Sequence, residues 1–431
     1  MSVVVVGGGV ARCAAAYTLR KLGHAVTLLE AEDHVGGRTW TLRQEGFAID
    51  TGAGYIATFY DRTLALVREL GHEDSLVELK APTGFWDGER LHLVRPDSPA
   101  SYFKLSLLGW RDKVRLGARS MVIAMRPAPA PFDTDGLAAA DTGEATDAWA
   151  RRELGEANYQ YAIRPMTELS FGVGCEQIAA ALEVALLKVG RTTRFLCLAE
   201  GMGALCEWLV SDLEVRTAAR VRAVELAGER VHVRGADDLL LDADAAVIAT
   251  EAPTAADLLV DTLDRELIEG LREAPYAANV HVALGYEQDP WPDFPAGVVT
   301  PVGPGEHAVG SISLQARKAG SLVPVGAQLV DVYFNDRLSR ELTEAEANRL
   351  ARQTTTELIG AAPEPLFEHV FTRRCGLAIP RPGHYAAIRA TREAMPARIR
   401  LAGDYLAHAG IEAAVQAGER AAEELHRLLA S

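Results

Sequence analysis

The sequence predicts an α/β protein in which a parallel-sheet domain is assembled from scattered segments and a mixed α+β domain is inserted between them. Three observations carry this. The β-branched run Val3 to Val6 ends at Gly7-Gly8-Gly9 and leads into a helical stretch and a second strand, one βαβ unit. A further buried strand, "DADAAVIAT", lies near residue 250, and the chain closes on a strand, a glycine-containing turn and a long amphipathic helix. Between these pieces the pattern changes first to helices and then to alternating strands. The expected organisation is a discontinuous Rossmann-like nucleotide domain (residues 1–75, 190–266 and 388–431) and a second domain (76–189 and 267–387).

Each element has a local reason. Ala11 to Leu22 reads as a helix stopped by Gly23, and Ala25 to Leu29 as the next strand. Residues from about Leu76 to Val189 look mainly helical, with "DKVRLGARSMVIAM" and "DAWARRELGEANYQYAIRPM" the clearest helices. The intervening "RPAPAPFDTDGLAAADTGEA" is rich in Pro, Ala and Gly and is expected to be an exposed loop, a plain connector in preference to a functional lid. "LEVRTAARVRAVELAGERVHVRG" alternates like antiparallel strands. From about Leu267 to Ala387, "ANVHVALGY" and "GAQLVDVYF" read as strands and "TEAEANRLARQTTTELIG" as a helix.

Composition narrows the function classes. With 431 residues, 48% hydrophobic and 24% charged, the chain has room for about two ordinary globular domains. Its 59 acidic and 44 basic side chains give a formal charge of -15, which disfavours phosphate backbones and points to a small-molecule substrate and no nucleic acid. Five scattered cysteines suggest neither a disulfide framework nor a metal site. Without a basic leader or an apolar run of membrane-spanning length, a cytoplasmic protein with no integral membrane segment is expected. The acidic charge and the lack of an evident membrane-entry helix also argue against substrates drawn from a bilayer.

The first turn carries the chemistry. Gly7 permits a sharp bend, Gly9 lets a pyrophosphate approach the backbone, and the following helix start offers free N–H groups to an anion. Glu30, 21 residues beyond Gly9, stands where a carboxylate would hold a ribose hydroxyl. Glu30 alone does not separate FAD from NAD. Arg12 occupies the third glycine position, where helix and strand pack closely. The expectation is that its side chain leaves outward, toward the pyrophosphate or a neighbouring acid; the competing reading is weakened or lost cofactor binding.

"EAEDHVGGRTWTLRQEGFAIDTGAGYI", with Gly36-Gly37-Arg38, resembles the flavin-containing amine oxidase superfamily, which includes monoamine oxidases, protoporphyrinogen oxidases and carotenoid desaturases. The resemblance continues through "LAEGMGALCEWL", "DAAVIATEAP" and "LAGDYLAHAGIEAAVQAGERAAEEL" and so covers nearly the whole chain. It implies an FAD-binding domain with a substrate domain, with FAD as the ligand of the turn at Gly7, Gly9 and Glu30 and with Gly37 and Arg38 near its pyrophosphate; Arg12, where the family usually has glycine, departs from the pattern and is a cofactor-binding candidate through its reach toward the pyrophosphate. The resemblance also implies Val221 beside the adenine, Gly403 and Asp404 by the ribityl-phosphate portion, and the helix from Ile411 pointed at the flavin ring.

By that resemblance the reaction is dehydrogenation of a C–N or C–C bond of a small, fairly apolar metabolite or amine. No separate nicotinamide domain is apparent, so O2 is the expected electron acceptor. Amine oxidases often carry a lysine on the strand before "PW"; "NVHVALGYEQDPW" offers Asn279 or His281 instead. His281, as a general base or a substrate ligand, and Tyr55, after the Asp50 turn that the family places near the flavin, are the catalytic candidates, with Tyr60 and His408 comparable. Gly410 or Ile411 stands where an aromatic wall is usual, and "LAGDYL" is more similar to protoporphyrinogen-oxidase and desaturase relatives. Cys375 is a position to weigh for covalent flavin attachment, although its segment better matches one that commonly has tryptophan. The alternative is a flavoprotein of the same fold without net redox turnover, an isomerase, cyclase or binding protein.

Overall fold

The computed structural model describes residues 1–95, 98–190, 192–236 and 240–430. Five parallel strands form the nucleotide-type sheet, in the order Glu214–Arg216, Ala25–Leu29, Ser2–Val6, Ala245–Ile248 and Ile399–Leu401. The pleat explains the valine run. Val3 and Val5 pack with Ala11, Ala15 and Leu19 of the Val10–Lys21 helix and with Leu425 of the Ile411–Ala430 helix. Val4 and Val6 face the opposite way, into a core containing Val224, Val231 and Val233 of a three-stranded antiparallel sheet. With both faces buried there is no polar alternation, and β-branched residues fill every position.

The first and last helices cross closely. A Cβ on Gly418 would collide with the Ala11 carbonyl oxygen, so only glycine lets the C-terminal helix reach the N-terminal one. Gly7 is needed for a different reason: its φ is +121°, and an added Cβ would come within 2.5 Å of the Ala249 carbonyl oxygen.

A seven-stranded mixed sheet forms the second structural layer. Its order is Phe367–Ala378, Tyr276–Tyr286, Gln328–Phe334, Val309–Leu314, Val298–Pro301, Thr83–Trp86 and Leu91–Val94. The last two strands come from the stretch expected to be mainly helical, where alternation over only four residues is too brief to stand out. One face of the sheet packs on the Glu344–Leu358 helix, which begins with a capping box between Thr343 and Glu346. The other face, through Asn279, Ser311, Ser313 and Tyr333, turns toward a large cavity.

The Pro/Ala/Gly-rich stretch is not a plain exposed connector. It contains the helix Thr134–Ala140, whose N-cap Asp133 accepts the Gly136 N–H, and it buries Phe132 and Leu137. The composition of a linker conceals two anchors. "DAWARRELGEANYQYAIRPM" is helical but interrupted: Thr146–Leu154 ends at Gly155, and a wide turn over Tyr159–Ile163 leads into Arg164–Phe171. Among the described residues no helix is long and apolar enough to cross a membrane.

Candidate functional site: two joined cavities

A cavity of about 580 Å³ runs between the parallel sheet and the mixed sheet. At one end are Gly7 and Gly9, then Val10 and Ala11 at the start of the first helix, whose N–H groups have no acceptor within that helix. A Cβ on Gly9 would meet nothing nearer than the Gly36 carbonyl oxygen at 4.0 Å, so the backbone is open to a ligand there. Glu30, Gly37, Arg38 and Val221 line the same end, and Gly403, Asp404 and Ile411 line the side nearer the second helix start. A carboxylate at a strand end, two helix N-termini and a glycine-lined backbone suit an elongated dinucleotide carrying a pyrophosphate.

Arg38 and Asp404 pair across the cavity wall through two hydrogen bonds of 2.9 and 2.7 Å, and Arg38 also donates to the Gly376 carbonyl at 3.1 Å. The bidentate pair joins the 3₁₀ turn Gly37–Thr39 to the turn Asp404–Leu406.

Arg12 does not leave outward. Its side chain is fully buried, is absent from the cavity lining, and turns back beneath the glycine turn to Glu30. Nη1 donates to Glu30 Oε2 at 2.9 Å and to the Leu29 carbonyl at 3.3 Å. Glu30 Oε1 accepts the Glu32 N–H at 2.8 Å. Each carboxylate oxygen has two acceptor positions, so Glu30 retains capacity for a ribose hydroxyl while held from behind. Of the two destinations expected for this guanidinium, the acid is the one occupied; an arginine at the third glycine position is accommodated because its charge meets a partner within the turn.

His281 is also placed differently from expectation. It shares a face of its strand with Asn279, yet it is fully buried and does not line the cavity. Tyr333, which does line it, stacks on the imidazole at 4.4 Å. His281 Nε2 is 2.8 Å from Asp331 Oδ1, and the Gln315 amide donates to the other Asp331 oxygen. The group is a polar knot inside the sheet, out of reach of a substrate in either cavity. Cys375 lines neither cavity.

Lys318 is the functional candidate that sequence reasoning missed. The strand Tyr276–Tyr286 has no lysine, but the short helix Gln315–Lys318, after the strand Val309–Leu314, brings one into the same cavity. Lys318 is 8% exposed, and its ammonium makes no hydrogen bond or ion pair with any described residue. A Cβ on Gly54 would lie 2.8 Å from its Nζ and 3.9 Å from the Tyr333 hydroxyl, which places the two polar groups together. Burial lifts the Asp50 carboxyl to about 6, opposed by the nearby Lys318 charge, while Asp50 accepts from Thr41 Oγ1 and the Met202 N–H.

A second, mostly apolar cavity of about 550 Å³ adjoins the first. Tyr55, Tyr60, Met166, Ser170, Phe195 and Ala409 line both. Tyr55 stands edge-on to Phe195 at 5.2 Å, and burial raises its phenol above the ordinary value. Tyr60 packs edge-on against Phe132, and Phe132 stacks on His408 at 4.7 Å. Burial, and then the neighbouring His384, push His408 down to about 3, so its ring is neutral. Glu183 is the one acidic side chain lining this cavity among the described residues; burial lifts its carboxyl to about 7, offset by the Thr167 hydroxyl at 3.2 Å.

Comparisons with known proteins agree with this geometry. A family model described as flavin containing amine oxidoreductase matches residues 14–426. The coproporphyrinogen III oxidase of Mycobacterium tuberculosis is 28% identical over 97% of this chain and 96% of its own length. Among solved structures, an Exiguobacterium protein provisionally described as a protoporphyrinogen oxidase has a TM-score of 0.79 at 20% identity, covering 99% of both chains. The cyclohexylamine oxidase of Brevibacterium oxydans has a TM-score of 0.76 at 17% identity, covering 100% of this chain and 99% of its own. The chain belongs to the flavin-containing amine oxidoreductase family and is a flavin-dependent oxidoreductase.

Proposed function

We propose that the chain is an FAD-dependent oxidase acting on a large, mostly apolar substrate of the porphyrinogen type, with O2 as electron acceptor. The observation that carries the substrate size is the second cavity, which extends the flavin-side cavity by about 550 Å³ of largely apolar space. A small amine would need a tight enclosure, and Gly410 and Ile411 provide no aromatic wall before the final helix. The end-to-end relative named for coproporphyrinogen III supports the same direction.

The flavin, when bound, supplies the hydride-accepting chemistry. Gly7, Gly9, Glu30, Gly37 and Arg38 would hold its nucleotide part, with Val221 beside the adenine. Gly403, Asp404 and the start of the Ile411–Ala430 helix would hold the remainder. That helix start favours negative charge by about 0.3–1 kcal/mol. Arg12 orients Glu30 from behind without touching the ligand. Lys318 presents a fixed positive charge to the substrate side, where it holds a water or a substrate carboxylate. Tyr55 and Tyr60 form the waist between the cavities and orient a flat apolar substrate.

The test is turnover by the FAD-loaded protein, with coproporphyrinogen III and a panel of mono- and diamines offered separately. Porphyrin fluorescence accompanied by hydrogen peroxide is the expected result. Amine turnover without porphyrin formation would refute the substrate assignment, and product of unchanged mass without oxygen uptake would refute the redox one.

A further inference from the structure

We propose that Glu183 selects for substrate nitrogen: its free carboxyl oxygen accepts a hydrogen bond from an inner N–H of a porphyrinogen lying in the second cavity. This rests on the substrate class proposed above and names the residue that would recognise it. Glu183 stands in the first turn of the helix Ala180–Gly190, whose only other charged residue is Lys188. Its side chain lines the second cavity, yet the residue is 7% exposed and is more deeply enclosed than Val184 beside it. The walls of that cavity are apolar, Phe59, Phe132, Ile163, Leu186 and Leu187 among them. Lys113, the one basic side chain lining it among the described residues, forms no ion pair with Glu183.

The fold itself makes little use of this acid. Oε2 is 3.2 Å from the Thr167 hydroxyl, which already has the Ile163 carbonyl at 3.1 Å. Oε1 has no partner among the described residues and is not enclosed by protein, so it faces the cavity. Burying a carboxyl for one shared hydrogen bond is less favourable than burying a leucine there, and a ligand that completes the site offsets the difference. Protonation does not change what Oε1 offers. When Glu183 is ionised, both oxygens accept and Thr167 donates to Oε2. When it is neutral with its proton on Oε2, that proton goes to the Thr167 oxygen, Thr167 donates to the Ile163 carbonyl, and Oε1 is a carbonyl oxygen that still accepts. The matching ligand group is therefore a donor. A porphyrinogen carries N–H groups at the centre of its ring and carboxylates at its rim; a rim carboxylate brought to Oε1 would face an acceptor, so the residue holds the ring centre and turns the rim away. A purely hydrocarbon substrate would leave the oxygen unpaired, which separates this cavity from one built for polyenes.

The test compares two stable ligands on the FAD-loaded protein: coproporphyrin III, which keeps inner N–H groups, and its palladium(II) complex, in which the metal replaces those hydrogens and, being square-planar, takes no axial ligand. Affinities are read from quenching of protein fluorescence. Wild type is expected to bind the metal-free ring about tenfold or more tightly than the complex. Glu183→Met should bring the two affinities together by weakening the metal-free ring alone. Glu183→Gln, which keeps a carbonyl acceptor, should retain most of the difference. Thr167 keeps the Ile163 carbonyl in both variants, and each removes a buried ionisable group, so neither is expected to melt earlier than wild type at neutral pH. Equal wild-type affinities, or a preference that survives Glu183→Met, overturn the proposal and leave the substrate class standing. Failure of both rings to bind wild type overturns it as well, and turnover of coproporphyrinogen III then decides whether the substrate class falls with it.

Discussion

Replacing Arg12 by Met tests the most unusual feature of the nucleotide turn. The Arg12 side chain is fully buried, and that of Glu30 is 7% exposed. Removing the guanidinium leaves the Glu30 carboxylate with the Glu32 N–H as its remaining donor, at 2.8 Å. Breaking one half of a buried ion pair costs about 3–5 kcal/mol, because the other charge stays desolvated. Methionine retains most of the stem's volume, so little of the loss would come from a void. We therefore expect Arg12→Met to destabilise the FAD-free protein by about 3 kcal/mol in urea unfolding. Glu30→Gln should cost a comparable amount by stranding the guanidinium. The double variant has no stranded charge and should be more stable than the sum of the single losses by about 2 kcal/mol. Additivity within about 0.5 kcal/mol would refute the pairing argument.

Three further expectations follow from the site. Lys318→Met should lower kcat by about 10²-fold or more and push the buried Asp50 carboxyl further up, since the Lys318 charge is what opposes its burial there; unchanged turnover would remove Lys318 from the site. His281→Ala should melt earlier, because it strands Asp331 inside the sheet, while flavin content and turnover of the folded fraction remain near wild type; a selective loss of turnover would restore a catalytic role. For Glu183, burial raises the carboxyl from 4.5 to about 7, so the folded state prefers the protonated form. Its contribution is greatest below pH 4.5 and is lost as pH rises to about 7. At about 1.4 kcal/mol per pH unit that amounts to about 3 kcal/mol, and Glu183→Gln should flatten the fall in stability between pH 5 and pH 8. An unchanged slope would refute it.

What the sequence revealed was local. The glycine turn, Glu30, and the C-terminal strand, turn and helix each lie within a short window, where spacing and chemistry coincide. Lys318 was invisible because the expectation looked along the strand Tyr276–Tyr286, while the cavity draws its lysine from a turn more than thirty residues later. The burial of His281 is not legible in the sequence because its strand is buried on both faces, and no polar alternation marks which positions reach open space. Arg12 was recognised as anomalous, but its route depended on a carboxylate that only the folded turn brings within 2.9 Å. The helix Trp110–Met125 is legible as a helix, whereas the exposure of Trp110, Val114, Met121 and Met125 is not, because an exposed and a buried apolar stripe have the same periodicity.

The closeness of the first and last helices has a consequence for biosynthesis. Ala11 and Ala15 are covered by the segment around Gly418, and the sheet's edge strand Ile399–Leu401 is added just before it. At 5–20 residues per second, a ribosome needs roughly 20–90 s to deliver that closing segment. Until then the N-terminal βαβ unit carries an uncovered apolar helix and an incomplete edge, the state in which chains are most open to chaperone capture or aggregation. C-terminal truncation of the nascent chain before Ile411 should therefore yield insoluble protein even though every residue of the glycine turn is present.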